Sequence, residues 1–311
     1  MDRILDEMTS VEDASKFFEK NEFIKLYKYS VPLFFEKSGS ETLVDTFQKK
    51  NIPEFNPSTF EPVYEIDTEI VNGRPAYYKP HDDIILKFVL QKTTFDPTTG
   101  DQCDYRYPVS IYFDELNSVL DIRFDALKNE SAVKSRDFYE RLILDVAFWI
   151  KANLGLKLYL CDHSEVISAV NDKSDESVKM YRQMVQYSSG GSAELTTSPN
   201  QDYVIPFIGE LRELIDENEE LFNSSPDIKD LIMGYLEDKE ATANYTYIYI
   251  KWIKPVESQS FIIKVTFDFF SQKYTVLQHL AGNCPDLEMG RMNDAIKYLC
   301  SKNAFSRGNE F

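Results

Sequence analysis

The sequence predicts an α+β fold made of two related domains, each with helices packed on a small, mainly antiparallel sheet. Two observations carry this reading. Three strand-like runs, IILKFVLQ (84–91), YPVSIYF (107–113) and SVLDIRF (118–124), lead into a helical stretch from Ser135 to Asn153. The same order recurs as YTYIYIKWI (245–253), FIIKVTFDF (261–269) and KYTVLQH (273–279), followed by a helical stretch from Leu287 to Cys300. A third observation separates the halves: residues 187–201, YSSGGSAELTTSPNQ, are small, polar and without periodicity, as a linker is. The expected domains are 1–187 and 202–311, joined by a linker over 188–201.

Taken in order, Ser10 and Asp13 resemble a helix start, with Glu12 and Asp13 suited to the positive end of the helix dipole. The helix is expected to run through FFEKNEFIKLYKY and to end or kink at Val31-Pro32. A shorter helix follows over 41–50. Five prolines in residues 51–80 predict an irregular connection. In the first triplet, Tyr107, Val109, Ile111 and Phe113 alternate with Pro108, Ser110, Tyr112 and Asp114, the period of a half-buried strand. Pro108 belongs at a strand start or an edge, because it cannot donate to a central ladder. Residues Asp114–Ser118 fit a hairpin connection, after which Leu120, Ile122 and Phe124 alternate with Asp121 and Arg123.

Phe138, Leu142, Val146, Trp149 and Ile150 form one stripe of the next helix, and Gly155 is its stop. LKLYLCD (156–162) and EVISAV (165–170) read as a hairpin turning at His163-Ser164, and SDESVKMYRQMVQY (174–187) as a closing helix. Beyond the linker, Phe207, Ile208, Leu211, Leu214, Ile215 and Phe222 form an apolar stripe opposite acids. Ser225-Pro226 starts a helix expected to bury Ile228, Leu231, Ile232, Tyr235 and Leu236.

Composition excludes several classes. The chain has 311 residues, 52 acidic and 34 basic, and a formal net charge of −18. That field repels phosphate backbones and anionic lipid unless a basic patch intervenes, and along the sequence the lysines and arginines are scattered singly. Nucleic acid is therefore not the expected partner. Cys103, Cys161, Cys284 and Cys300 show no Cys-x-x-Cys spacing and are too sparse for a disulfide scaffold. The N-terminus lacks signal-peptide character, and no apolar run reaches the roughly 20 residues a spanning helix needs. A reducing cytoplasm is the expected compartment.

No catalytic motif or cofactor cradle is present; neither GxGxxG nor GxxxxGK[ST] occurs. Asp114, Glu115 and Asp121 surround one hairpin and could hold a hard cation, as in metal-dependent hydrolases and nucleases; Asp114 and Glu115 equally suit a solvated turn. His81, His163 and His279 have no second ligand pair at zinc spacing. Tyr245, Tyr247 and Tyr249 share one face of a strand and Trp252 the other, which nominates these four as partner-contacting residues.

The hairpin YPVSIYFDELNSVLDIRF, the helix DFYERLILDVAFWIKANLG and the return LKLYLCDHSEVISAV, in α-βββ-α-ββ-α order over 11–187, resemble the layout of the type III secretion chaperones and the related YbjN-type bacterial regulators. The resemblance implies a bacterial, non-enzymatic binder without metal or cofactor. Such a protein holds an extended segment of another polypeptide and pairs as a homodimer or within one chain. Residues 207–302 would form a shortened second copy. The competing expectations are the metal-dependent hydrolase just described and a subunit of a defence or secretion assembly.

Overall fold

The computed structural model describes residues 11–56, 58, 68–81, 83–96, 98–128, 132–161, 178–186, 191–196, 208–241, 244–254, 259–267, 274–280, 289–301 and 311. The elements, in chain order, are α1 (Val11–Ile24), β1 (Tyr29–Glu36), α2 (Leu43–Lys49), β2 (Ala76–Tyr78), β3 (Ile84–Phe95), β4 (Gln102–Asp114), β5 (Val119–Phe124), α3 (Ala132–Leu154), β6 (Lys157–Leu160), β7 (Val178–Gln186), β8 (Ser192–Thr196), α4 (Ile208–Glu217), α5 (Glu219–Asn223), α6 (Pro226–Ala241), β9 (Asn244–Lys254), β10 (Gln259–Thr266), β11 (Val276–Leu280) and α7 (Gly290–Ser301). The fold is α+β. Its residues group into two units: Met1–Asp162 with Pro285–Phe311, and His163–Cys284. The linker reading divides the chain at 188–201 instead, and the expected hairpin over 162–170 lies outside the described residues.

In the first unit the strands run β2-β3-β4-β5-β1-β6, each pair antiparallel. One sheet face is apolar. Phe88 meets Trp149 of α3 at 5.0 Å, Phe124 stacks on Tyr139 at 5.4 Å, and Phe113 meets Phe47 of α2 at 6.1 Å. Thr42 and Asp45 close a reciprocal capping box at the start of α2, and Gly155, at φ +67°, ends α3 in the left-handed conformation that glycine tolerates.

The other face carries the polar members of the alternation, and it is buried as well. Every residue of β5 is buried, Asp121 and Arg123 included. Arg123 Nε donates to Asp121 Oδ2 at 2.6 Å, Ser30 Oγ donates to Asp121 Oδ1, and Arg123 Nη2 donates to Asn293 of α7. Further along this face, Lys87 Nζ donates to Glu19 Oε1 at 2.6 Å and Glu22 Oε2 at 3.0 Å, both on α1, and Arg106 binds the same two carboxylates. The alternation therefore marks two buried faces, one oily and one internally ion-paired, rather than the expected half-solvated strand.

Two further expectations are corrected in this unit. Val31-Pro32 neither ends nor kinks a helix: α1 stops at Ile24 and both residues lie within β1, with Pro32 opposite Asp121. The second strand triplet and the helix after it also fall in different units. α7 belongs to the first, where Tyr27 N–H reaches Met289 Sδ at 3.3 Å. Pro108 pairs with Val89 and lies beyond the last β4–β5 pair, so one side of the strand is an edge there, as expected.

In the second unit the order is β8-β7-β9-β10-β11, again antiparallel. Two stretches depart from the sequence reading. Residues 178–186, expected as part of a helix, form β7, and 192–196, expected as linker, form β8 beside it. Irregular pairing with β9 between Met180 and Arg182 explains the first. Val178 and Met180 are buried before it, and Gln183 and Val185 after it, so the inward spacing changes from two to three and imitates a helical step.

Candidate interaction surfaces

The sequence-nominated carboxylates do not converge on a metal. Asp114 accepts from the Asn117 backbone and side chain within its own turn, and Glu115 pairs with Lys37 at 2.7 Å. Asp121 is wholly buried against Arg123 and Ser30. Among the described residues no group of three histidine, cysteine, aspartate or glutamate side chains is placed to hold a metal ion. His81 sits in a turn at φ +58°, His279 lies on β11, and His163 is outside the described residues. Cys161 contacts Cys300 of α7, both thiols buried; burial, then that contact, raises the Cys161 thiol well above its ordinary value. The Cys161 thiol therefore stays protonated, opposite to what a nucleophile needs.

A cavity of about 480 Å³ opens at the start of β2 alongside β3, bordered by Lys87, Arg106, Gly73 and Trp149. Of its lining cations, Lys87 and Arg106 are already held by Glu19 and Glu22.

The second unit carries a different kind of surface. Ile248, Ile250 and Trp252 of β9 point to the buried face, where Trp252 stacks on Phe261 with ring centroids 5.0 Å apart and planes 5° apart. Tyr247 and Tyr249 occupy the opposite face, half-buried and 5.6 Å apart edge to face. Register places Lys179 opposite Lys251, Arg182 opposite Tyr249, and Lys264 opposite Tyr249 from the other side. Directly paired residues share a face. Four cations that the sequence scatters over 179–264 thus gather around two tyrosines. Tyr245 is half-buried near the start of β9, where irregular pairing sets it opposite Val185.

This face has a definite electrostatic construction. Lys264 Nζ lies 4.0 Å from the Tyr247 ring centroid and the Arg182 guanidinium 5.2 Å from that of Tyr249. Arg182 Nη1 also pairs with Glu194 of β8 at 3.1 Å. Burial, joined by the Arg182 charge and opposed by Glu194, lowers the Lys264 pKa below the usual lysine value. Burial and then Glu194 raise Tyr247, which remains a neutral phenol. With cations over both rings, a carboxylate arriving at the face meets N–H donors directly.

The helices of this unit have the opposite sign: α4, α5 and α6 contain eleven acids and three bases. The strands β7 to β11 contain five lysines and arginines and one acid, Glu194. Among the described residues, no helix is long and apolar enough to cross a membrane. Comparison with family models and with curated proteins finds no match for this chain.

Proposed function

We propose that this chain is a non-enzymatic protein-binding module and that it holds an acidic, extended segment of a partner across the β9-centred sheet face. The observation that carries the reading is the collection of Lys179, Arg182, Lys251 and Lys264 around Tyr247 and Tyr249 in an otherwise acidic protein. Tyrosines supply broad contact area at little entropic cost, and the cations pair with carboxylates. The net charge of −18 slows the approach of an acidic partner. Beyond about 8 Å at physiological ionic strength that repulsion is screened, while contacts on the face are not. The chaperone-like expectation agrees in kind. Kinship of the two halves draws its support from the two meanders, β3-β4-β5 and β9-β10-β11, which share one order.

The test is titration of the full chain with a fluorescein-labelled peptide of alternating glutamate and tyrosine, with its lysine counterpart and with a single-stranded oligothymidylate. The acidic peptide should bind best, and Lys264→Gln with Arg182→Gln should weaken it at least tenfold while circular dichroism stays unchanged. Equal affinity in that double variant, or tighter binding of the oligonucleotide, would remove the proposal.

A further inference from the structure

The helix α6 is expected from sequence to bury Ile228, Leu231, Ile232, Tyr235 and Leu236, but of these only Leu236 is buried. Ile228, Leu231 and Tyr235 are 54%, 75% and 59% exposed. Spaced by three and four residues, they fall within about 60° of one another around the helix and span roughly 10 Å of its length. Leu221 of α5 and Leu214 of α4, the two helices in contact with α6, are also exposed. Single exposed leucines need no explanation, whereas a stripe of three on one helix, with two more on its neighbours, does.

We infer that this stripe is a docking surface for an amphipathic, basic helix of a protein partner. Charge complementarity selects that occupant. On α6 itself Asp227 and Asp238 flank the stripe along one side, with Lys239 folded over the Tyr235 ring at 5.3 Å, and α4, α5 and α6 together carry eleven acids against three bases. A helix presenting leucines at the same spacing, flanked by lysine or arginine, fills the stripe and meets Asp227 and Asp238 along its edge. A second copy of α6 would bring acids against acids, and an anionic lipid surface would be repelled in the same way. The stripe lies on helices and the peptide face on strands, they are built from different residues, and neither inference depends on the other.

The experiment uses the full chain and a labelled 18-residue Leu/Lys amphipathic helix, read by fluorescence anisotropy. A Leu/Glu helix of the same pattern, a scrambled Leu/Lys peptide without a stripe, and phosphatidylserine vesicles serve as comparisons. The patterned basic helix should bind at least tenfold tighter than every comparison. Leu231→Ser and Tyr235→Ser should each weaken it about tenfold, while Leu144→Ser, an exposed leucine of α3, should leave it unchanged. Asp227→Asn with Asp238→Asn, which leaves the apolar stripe intact, should weaken binding and flatten its salt dependence. Binding indifferent to Leu231→Ser, equal binding of the scrambled peptide, or a dimer in light scattering that Leu231→Ser dissolves would each overturn the inference.

Discussion

Replacing Lys87 by methionine tests the ion-paired face of the first unit. The Lys87 side chain is 1% exposed; its ammonium donates to Glu19 Oε1 at 2.6 Å, Glu22 Oε2 at 3.0 Å and the Glu19 carbonyl at 3.2 Å, and lies 4.3 Å from the Phe23 ring. Two hydrogen bonds to carboxylates are worth about 3–6 kcal/mol together. Burial of the methionine returns about 1–2 kcal/mol, and Arg106 still binds both carboxylates. The expected loss is therefore about 3 kcal/mol, at the lower edge of the range for breaking a buried ion pair. Arg106→Met should cost about 1 kcal/mol, because that side chain is 34% exposed and screened. Trp149 stands against Phe88, next to Lys87, so urea unfolding followed by tryptophan fluorescence in a Trp252→Phe background reports on this unit alone. Acid provides an independent check. Burial raises the Glu22 pKa, but the Arg106 hydrogen bond and the charges of Lys87 and Arg106 outweigh it and hold it below the ordinary carboxylate value. A depressed acid contributes stability above its unfolded value and loses it as pH falls through the lower folded value. The Lys87→Met deficit should therefore shrink as pH falls below the ordinary carboxylate value and through the depressed Glu22 value. A loss below about 1 kcal/mol at neutral pH, or a deficit that acid leaves unchanged, would refute the electrostatic account.

Two further outcomes follow from packing and burial. A Cβ on Gly73 would stand 2.8 Å from Phe88 Cδ1 and 3.0 Å from the Ile70 carbonyl oxygen, so Gly73→Ala should cost about 1–3 kcal/mol in the same fluorescence assay; unchanged stability would show that the loop yields freely. In a Cys284→Ser background a thiol reagent should modify exposed Cys103 at once and buried Cys161 and Cys300 only after unfolding; three fast thiols in the native protein would contradict their burial.

Much of the fold was legible because local and global preferences agree. The first triplet, the short helix α2 and α3 with its Gly155 stop follow from periodicity and helix-stop chemistry; the Thr42–Asp45 box that closes α2 is a finding of the structure. The departures have separate causes. Periodicity shows that Ser110, Asp121 and Arg123 share one face, but not that a covering layer buries that face. Tyr29–Glu36 was hidden because a proline reads as a helix breaker, whereas here it sits in a strand. The irregularity in β7 changes the inward spacing at the point where periodicity is measured. The apolar stripe of α6 was read correctly as a stripe and wrongly as buried, since a helix has the same periodicity whether its cover is the same chain or another.

The charges follow a related logic. A net charge of −18 with scattered lysines excluded a basic patch so long as only neighbours in sequence were compared. Antiparallel pairing compares different neighbours. Lys264 and Arg182, 82 positions apart, flank Tyr249 from the two strands on either side of β9. A sheet thus sums charge across its strands, while a helix sums it along one segment, as in the acids of α4, α5 and α6. Opposite signs in the two kinds of element cancel in any average over the sequence. The near-absence of acids from β7 to β11 is the signal that survives, and it becomes visible only when composition is taken element by element. For an acidic protein without a catalytic motif, that division locates surfaces of opposite preference, and the acidic-peptide and basic-helix probes address them separately.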